Sequence, residues 1–214
     1  MNMKRVLGAF SIAVCLLTMD FAMYAQTTDT DLVHQGFYLS MSVGPVWGPV
    51  NGEDNTGMEV KVEGTGFNFE FEIGGALKNE WILHGTLAGN SVFGPKFNDV
   101  KVSSDISFDE IFYGAGVTKY FKPSNMFVTL NAGMGKFSIS DDSSSSGYTI
   151  TTEGGFSYQI KFGKEWMVSD TWGLGAMAYY MSTRLTSNPE PGIEEKWDSS
   201  RFGISFQATL NRVR

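Results

Sequence analysis

One ten-residue stretch, GFNFEFEIGG at residues 66–75, alternates apolar and polar residues without interruption. Because successive side chains of a β-strand point to opposite faces, the stretch predicts a strand with one apolar and one polar face. Glu70 and Glu72 lie on the polar face. In a soluble protein the apolar face packs on a core, whereas in a β-barrel that crosses a membrane it meets lipid. The facing of this strand therefore decides the fold class.

The first 25 residues have the pattern of a secretory signal peptide. Lys4 and Arg5 are followed by an apolar run at residues 6–17, and Ala25 precedes a polar segment. The apolar run is shorter than the roughly 20 residues that a membrane-spanning helix needs. We therefore predict a signal peptide at residues 1–25 that is removed during export.

Composition excludes several classes of function. The single cysteine, Cys15, lies in the predicted signal peptide, so the exported chain has no thiol for disulfide, redox or thiolate-metal chemistry. A net charge of −7 disfavours nucleic-acid binding, which requires a basic surface. Charged residues make up only 18% of the chain, whereas Gly is abundant at 25 residues. This balance is typical of a β-rich protein with little contact with bulk water.

Alternating segments continue to the C-terminus. After a short polar periplasmic arm at residues 26–36, eight segments follow within residues 37–212. They cover about 37–44, 65–76, 81–91, 107–121, 126–139, 148–163, 171–182 and 197–212. In the fifth segment the apolar parity switches at Phe137 and Ile139, which predicts a β-bulge.

Long and short connections alternate along the chain. The long ones cover about 48–64, 92–106, 140–147 and 183–196, and the short ones cover 77–80, 122–125 and 163–170. Short periplasmic turns and long extracellular loops are typical of an up-and-down barrel in the outer membrane. We therefore predict an all-β fold, an eight-stranded antiparallel transmembrane β-barrel at residues 37–212.

Aromatic residues near both ends of the segments favour the membrane assignment over a soluble, lipocalin-like periplasmic binding barrel. The predicted girdle beside the short turns comprises Trp81, Tyr120, Phe121, Phe127, Trp166 and Trp172, and the one beside the long loops comprises Trp47, Phe93, Tyr148 and Trp197. Aromatic belts at both interfaces are a feature of membrane barrels.

The membrane assignment places Glu70 and Glu72 inside a narrow lumen, where they need partners. Lys161 and Arg201 share the inward parity, and Lys136 or Lys119 are further candidates to pair with the two glutamates. The same parity places other polar side chains in the interior, namely Asn131, Gln159 and Gln207. Eight strands leave room for side chains but little for a channel, so we predict a filled lumen rather than a porin-like pore for small solutes.

The eight segments, the signal peptide and the turn motifs YFKPSN (120–125) and GKEWMVSDTWGLG (163–175) resemble the small outer-membrane β-barrels of OmpA/OmpX type. The resemblance covers about residues 37–212 and implies insertion by periplasmic chaperones and the barrel assembly machinery. Such barrels usually end in an aromatic residue, whereas this chain ends in NRVR. Either Phe206 and Leu210 carry the assembly signal with a short overhang, or the insertion signal is unusual.

Some barrels of this kind modify lipid A with a histidine near the outer surface, so the two histidines are the candidates for catalysis. We predict that His34 is a solvated residue of the arm and that His84 is a hydrogen-bonded lumen residue near the short turns, although Asp105 or Ser104 could approach it. We therefore predict no catalytic residues and no enzyme activity, with a lipid A acyltransferase or deacylase as the alternative.

Other motifs are weaker. GAGVTK (114–119) lies within a strand and is not a phosphate loop. Asp141 and Asp142 could hold calcium only loosely, and no metal-ligand spacing or cofactor motif is present, so no metal-binding or cofactor-binding residues are predicted. The acidic first loop could bridge divalent cations to lipopolysaccharide; its carboxylates are Glu53, Asp54, Glu59 and Glu63.

The sequence as a whole predicts a monomeric, non-enzymatic barrel for envelope integrity, adhesion or surface interaction. Its expected partners are outer-membrane lipids, lipopolysaccharide and an unknown extracellular ligand of the four long loops.

Overall fold

The computed structural model describes residues 33–78, 80–143 and 147–213, and every regular element in this part of the chain is a β-strand. Eight long strands form a barrel. They are β1 (His34–Trp47), β2 (Thr65–Ala76), β3 (Trp81–Phe93), β4 (Ile106–Phe121), β5 (Met126–Asp141), β6 (Gly155–Met167), β7 (Trp172–Glu190) and β8 (Arg201–Val213). The predicted signal peptide at residues 1–25 lies outside the described residues.

Each barrel strand pairs antiparallel with the next one in sequence. The last strand, β8, returns to pair with β1, for example at Met41 and Ala208, and so closes the barrel. A closed barrel pairs its backbone groups between strands, which is the only way a sheet can span lipid. The predicted eight-stranded up-and-down barrel is confirmed. Within the described ranges, no helix has the length and hydropathy needed to cross a membrane.

The apolar face of β2 lies outside the barrel and its polar face lies inside. The side chains of Phe67 and Phe69 are 52% and 50% exposed, whereas Glu70 and Glu72 are 2% and 3% exposed. Apolar side chains are also exposed at most outward positions of the other strands, including Leu83, Leu130, Ile160 and Phe206. The facing predicted from the alternation is therefore confirmed.

The long loops contain additional short strands. Three of them extend the sheet from the end of β7 that lies nearest the long loops. Their spatial order is Ile193–Ser199, Val50–Asp54 and Glu59–Glu63. We call these three strands the lid sheet. Two short strands, Lys96–Phe97 and Val100–Lys101, continue it at its far edge, and Tyr148–Thr151 pairs with the upper end of β5.

The lid sheet crosses the barrel mouth. Val50 and Val62, from the loop that follows β1, belong to one buried apolar cluster with Phe108 of β4 and Phe137 of β5. In an eight-stranded barrel β4 and β5 lie on the opposite wall from β8 and β1, so these contacts span the opening. Leu185 and the partly buried Trp197 complete this layer, which we call the lid layer.

The β-bulge that was predicted at Phe137 and Ile139 is absent, so that prediction is wrong. The register between β4 and β5 runs without a shift from Phe121–Met126 to Ile106–Asp141, so the strand keeps its parity. Phe137 is apolar at an inward position because the lid layer, unlike the central lumen, is apolar.

A second apolar layer closes the short-turn end. It consists of Tyr38, Ile82, Tyr120, Phe127 and Met177. Tyr120 and Phe127 were expected in the outer girdle and are instead buried inside. Trp81, Phe121 and Trp172 are exposed on the outside as predicted, and so are Trp47, Phe93 and Tyr148 near the long loops.

Candidate functional site

The central lumen is built around one buried lysine. Lys161 Nζ lies 2.5 Å from Glu70 Oε1 and also contacts Glu72 Oε1. The carboxylates receive further donors, since Gln159 Nε2 donates to Glu70 at 2.7 Å and the Tyr38 hydroxyl donates to Glu72 at 3.1 Å. The predicted pairing of Lys161 with both glutamates is confirmed. Charge-assisted bonds of this kind are needed to offset the cost of removing three charges from water.

Amide side chains extend this network across the barrel. Asn131 donates to the Gln159 side-chain oxygen at 2.7 Å, and Gln207 donates to Glu165 Oε2 at 3.0 Å. Glu165 also accepts from the Tyr120 hydroxyl at 3.1 Å. All three predicted interior amides are buried, as expected from their parity.

Arg201 has a different partner from the predicted one. Its Nε lies 3.3 Å from Glu110 Oε2, and its Nη1 donates to the backbone carbonyl of Gly48 at 2.6 Å. Ser199 donates to the other oxygen of Glu110 at 2.7 Å. Glu110 was not predicted as a lumen residue, although its parity is the same as that of the inward Tyr120. The fully buried Arg201–Glu110 pair lies directly beneath the lid layer, where Arg201 packs on the ring of Phe108.

The two other predicted cations do not enter the lumen. Lys119 lies on the outward parity of β4, with its ammonium 5.3 Å from the ring centre of Trp81. Lys136 also has the outward parity of its strand, between the inward Gly135 and Phe137. Both predictions are wrong. Lys136 faces outward because the expected change of parity near Phe137 does not occur, and Lys119 faces outward because it shares the parity of the exposed Ile111 and Tyr113.

His84 is a lumen residue, as predicted. Its ring nitrogens lie 3.1 Å from the Thr86 hydroxyl and 3.0 Å from the Thr118 hydroxyl, and Nδ1 lies 3.5 Å from Glu72 Oε1. Asp105 does not join it, because its carboxylate accepts a hydrogen bond from Ser103 in the long loop. The described hydrogen bonds of His84 thus go to two threonine hydroxyls and do not include Asp105.

His34 contradicts the prediction of a solvated residue in the arm. It is 1% exposed and is the first residue of β1, which starts three positions earlier than expected. Its ring stacks on Tyr120 at a centroid distance of 3.9 Å, and its nitrogens lie 3.1 Å from Asn211 Oδ1 and 3.0 Å from Asn125 Oδ1. The last strand and the β4–β5 turn supply these contacts, so local sequence gave no signal for them.

Among residues 33–78, 80–143 and 147–213, no three His, Cys, Asp or Glu side chains converge on a position for a metal ion. Asp141, one of the two residues considered for calcium, ends β5 and accepts a hydrogen bond from the backbone N–H of Ser143 at 2.8 Å.

A cleft of about 760 Å³ lies at the lid sheet, and its lining combines polar side chains of the outward face with Gly52, Val60, Leu185 and Trp197. Each of the three lid strands contributes to it, together with Arg184 and Thr186 of β7 and Asn98 of the neighbouring loop. A cleft of this size lies within the range of small-molecule sites, roughly 300–1,000 Å³.

Asp54 organises the turn at the tip of the first loop. Its carboxylate accepts from the Thr56 hydroxyl at 2.7 Å and from the backbone N–H of Met58 at 2.9 Å. These bonds, the Thr56 hydroxyl first, hold the pKa of Asp54 below its usual value of 3.8. A lowered carboxyl pKa stabilises the turn at pH values above 3.8, and the stabilisation is lost as pH falls through the lowered pKa.

We therefore expect the Thr56 and Met58 amide NMR signals to stay constant from neutral pH to about pH 4 and to move only below that. In an Asp54→Asn variant the acid-dependent movement should disappear. Movement centred above pH 4 would contradict the hydrogen-bonded turn.

The fold has known counterparts. Neisserial surface protein A matches with a TM-score of 0.55 and 13% identity, over 83% of this chain and 98% of that one. The outer membrane protein OprG from Pseudomonas aeruginosa gives a TM-score of 0.49 at 13% identity, over 85% and 99% of the two chains. Ail, the attachment invasion locus protein of Yersinia pestis, gives 0.40 at 16% identity, over 81% and 99%.

Neither protein-family models nor curated proteins match the sequence. Three observations establish the fold: the barrel is closed, its apolar side chains face outward, and it matches the structure of Neisserial surface protein A. The chain has the fold of the small eight-stranded outer-membrane β-barrels, with an exterior built for a lipid bilayer.

Proposed function

We propose that the chain is a non-enzymatic outer-membrane barrel that acts in surface interaction, with its long loops extracellular and its short turns periplasmic. The observation that carries the proposal is the lid: Val50 and Val62 of the first long loop pack on Phe108 and Phe137 of the opposite wall. A loop that crosses the mouth on an apolar layer presents an ordered surface to the outside and also obstructs the lumen.

The side chains that fill the lumen favour a role in surface interaction over a role as a pore. Two apolar layers lie at its ends, and a third, which includes Val46, Phe112 and Tyr179, lies between them. The charged networks around Lys161 and Arg201 occupy the levels between these layers. An interior of eight strands is just wide enough for side chains, so these groups fill the path that a solute would take.

Conductance in planar bilayers tests the sealed lumen. We expect the native barrel to give no steady conductance. A Phe108→Ala/Phe137→Ala variant, which removes both wall rings from the lid layer, should also give no steady conductance, because the two deeper apolar layers and the charged networks still fill the lumen. Phe93→Ala is the matched control, since Phe93 is exposed on the outer surface. Stable channels from the native chain would overturn the sealed-barrel proposal.

Adhesion of whole cells tests the surface role. Cells that display the native chain should adhere to an epithelial cell monolayer or to each other more strongly than cells that display a barrel with residues 51–61 replaced by a short turn. A gel shift on heating confirms that both barrels are folded. Equal adhesion by the two strains would contradict a role for the lid in surface interaction.

The partners that this proposal implies follow from location. Outer-membrane lipids and lipopolysaccharide surround the barrel, and periplasmic chaperones and the barrel assembly machinery deliver it. The ligand is extracellular and binds the long loops. A monomer satisfies all of these roles, because the barrel already closes its own sheet.

A further inference from the structure

The outward face of the lid sheet is a regular grid of polar side chains. The strand register places two rows of residues side by side across β7 and the three lid strands. One row is Arg184, Asp198, Asn51 and Lys61, and the next is Thr186, Lys196, Glu53 and Glu59. All eight residues line the 760 Å³ cleft.

The spacing of this grid is set by the sheet. Neighbouring strands lie about 4.8 Å apart, and residues on one face of a strand recur about every 6.8 Å. Hydrogen-bond donors and acceptors are thus spaced regularly both along the strands and across them. These spacings are comparable to the distances between hydroxyl groups on linked sugar rings. A flat array of this kind suits an extended ligand with many small polar groups.

The charges of the grid balance. Its cations are Arg184, Lys61 and Lys196, and its carboxylates are Asp198, Glu53 and Glu59. Arg184 Nε lies 2.7 Å from Asp198 Oδ2 across the sheet. The other two cations contact carboxylates beside the grid, since Lys61 Nζ lies 2.9 Å from Glu63 Oε1 and Lys196 Nζ lies 3.6 Å from Glu194 Oε1. All three cations are thus paired with carboxylates, so the cleft has little attraction for a polyanion. Hydroxyl groups, in contrast, both donate to carboxylates and accept from cations, so they satisfy either sign.

Glu53 and Glu59 strengthen the case for a hydroxyl-bearing ligand. They are direct cross-strand neighbours, and like charges placed opposite each other destabilise a sheet. A ligand hydroxyl that donates to these carboxylates would reduce the cost of their proximity. Lys196 is the cross-strand neighbour of Glu53 on the other side, and its ammonium lies 3.6 Å from Glu194 Oε1.

The floor of the cleft is rigid. Gly52 lies at the centre of the lid sheet, and a Cβ atom built on it would lie 2.9 Å from the ring of Trp197. The indole therefore packs against the glycine backbone, and Trp197 in turn lies 6.3 Å from Phe108 and 6.1 Å from Phe137 between ring centres. A surface held in place by an aromatic layer loses little entropy when a ligand binds.

From this arrangement we propose that the cleft on the lid sheet binds an uncharged stretch of an oligosaccharide. The inference deepens the proposed surface role and rests on it. Two sources carry the same chemistry, the sugar chains of bacterial lipopolysaccharide and the glycans of a host surface.

The test uses the full barrel in nanodiscs of synthetic phospholipid without lipopolysaccharide. It is titrated with two panels, oligosaccharides released from bacterial lipopolysaccharide and neutral host-type glycans. We expect binding to at least one panel, and the responding panel identifies the source. Binding should change less than about twofold between low and high salt, because a neutral ligand is not screened.

Variants locate the site. Asn51→Ala and Lys196→Ala should each weaken binding about tenfold, since each removes a hydrogen-bonding group from the grid. Asn188→Ala is the matched control, because Asn188 is exposed on β7 outside the cleft and should leave affinity unchanged. A gel shift on heating shows that each variant is folded.

Three outcomes would overturn the inference: no binding to either panel, binding that vanishes in high salt, or equal affinity in the native and cleft variants. Adhesion that persists in spite of such a result would preserve the surface role and remove only the sugar ligand. Loss of both would overturn the two proposals together.

Discussion

Replacing Lys161 with alanine is expected to destabilise the barrel by about 3–5 kcal/mol, the cost of leaving a buried ion pair without one partner. Lys161 contacts Glu70 and Glu72 and is itself 2% exposed. Without the ammonium, two neighbouring carboxylates remain buried, and the other donors described for them, Gln159 and Tyr38, are uncharged. Protonation of one carboxylate or entry of water would recover part of the loss.

Urea unfolding in phospholipid vesicles, followed by the gel shift on heating, measures this effect. Lys164→Ala is the matched control on the same strand. Lys164 faces outward, 5.6 Å from the ring centre of Trp166, so its removal should cost no more than about 1 kcal/mol.

A rescue variant separates charge from packing. In Lys161→Met/Glu70→Gln/Glu72→Gln the lumen keeps its volume and loses all three charges, and we expect much of the lost stability to return. If Lys161→Ala unfolds at the same urea concentration as the native chain, the charged network does not stabilise the barrel. If the triple variant is as unstable as Lys161→Ala, packing rather than charge explains the loss.

The pairing of Lys161 was predictable because it follows from parity alone. Once lipid is assigned to the apolar face of β2, every alternating strand has only one arrangement in which its charges avoid lipid. Glu70, Glu72 and Lys161 then share a narrow lumen and must meet. The same reasoning correctly places His84 and the three interior amides.

The apolar parts of the interior were not predicted. The lumen was expected to be polar throughout, whereas Tyr120, Phe127 and Phe137 all point inward. A period of two gives the facing of a residue relative to its neighbours, but it does not say at which depth the lumen changes from polar to apolar. That change depends on which strands come together at each level of the barrel.

Contacts between segments that lie far apart in sequence could not be predicted either. The lid sheet joins Ile193–Ser199 to Val50–Asp54, two segments that lie far apart in sequence. The second was expected to be a loop, and so were residues 193–196 of the first. His34 is buried by residues from β4, the β4–β5 turn and β8. Neither arrangement has a local pattern, so the cleft on the lid could be found only from the structure.

Replacing Leu87 with arginine is expected to cost about 2–4 kcal/mol of stability in a bilayer, the penalty for a basic residue on the lipid face near its midplane. Leu87 is 54% exposed and lies between Phe71 and Tyr113 of the neighbouring strands, in the middle of the apolar exterior. Met58→Arg is the matched control. Met58 is 66% exposed but lies at the tip of the first long loop, so arginine there should change stability by less than about 0.5 kcal/mol.

The comparison distinguishes lipid from water as the surroundings of the barrel wall. Both positions are exposed and apolar, so a barrel in water would accept arginine at either one. A barrel in lipid is destabilised by arginine only at Leu87. The difference between the two variants is measured by urea unfolding from vesicles and by the yield of folded protein in the membrane. Equal tolerance of the two substitutions would mean that Leu87 does not face hydrocarbon, and the inward placement of Glu70 and Glu72 would then need a cause other than the bilayer.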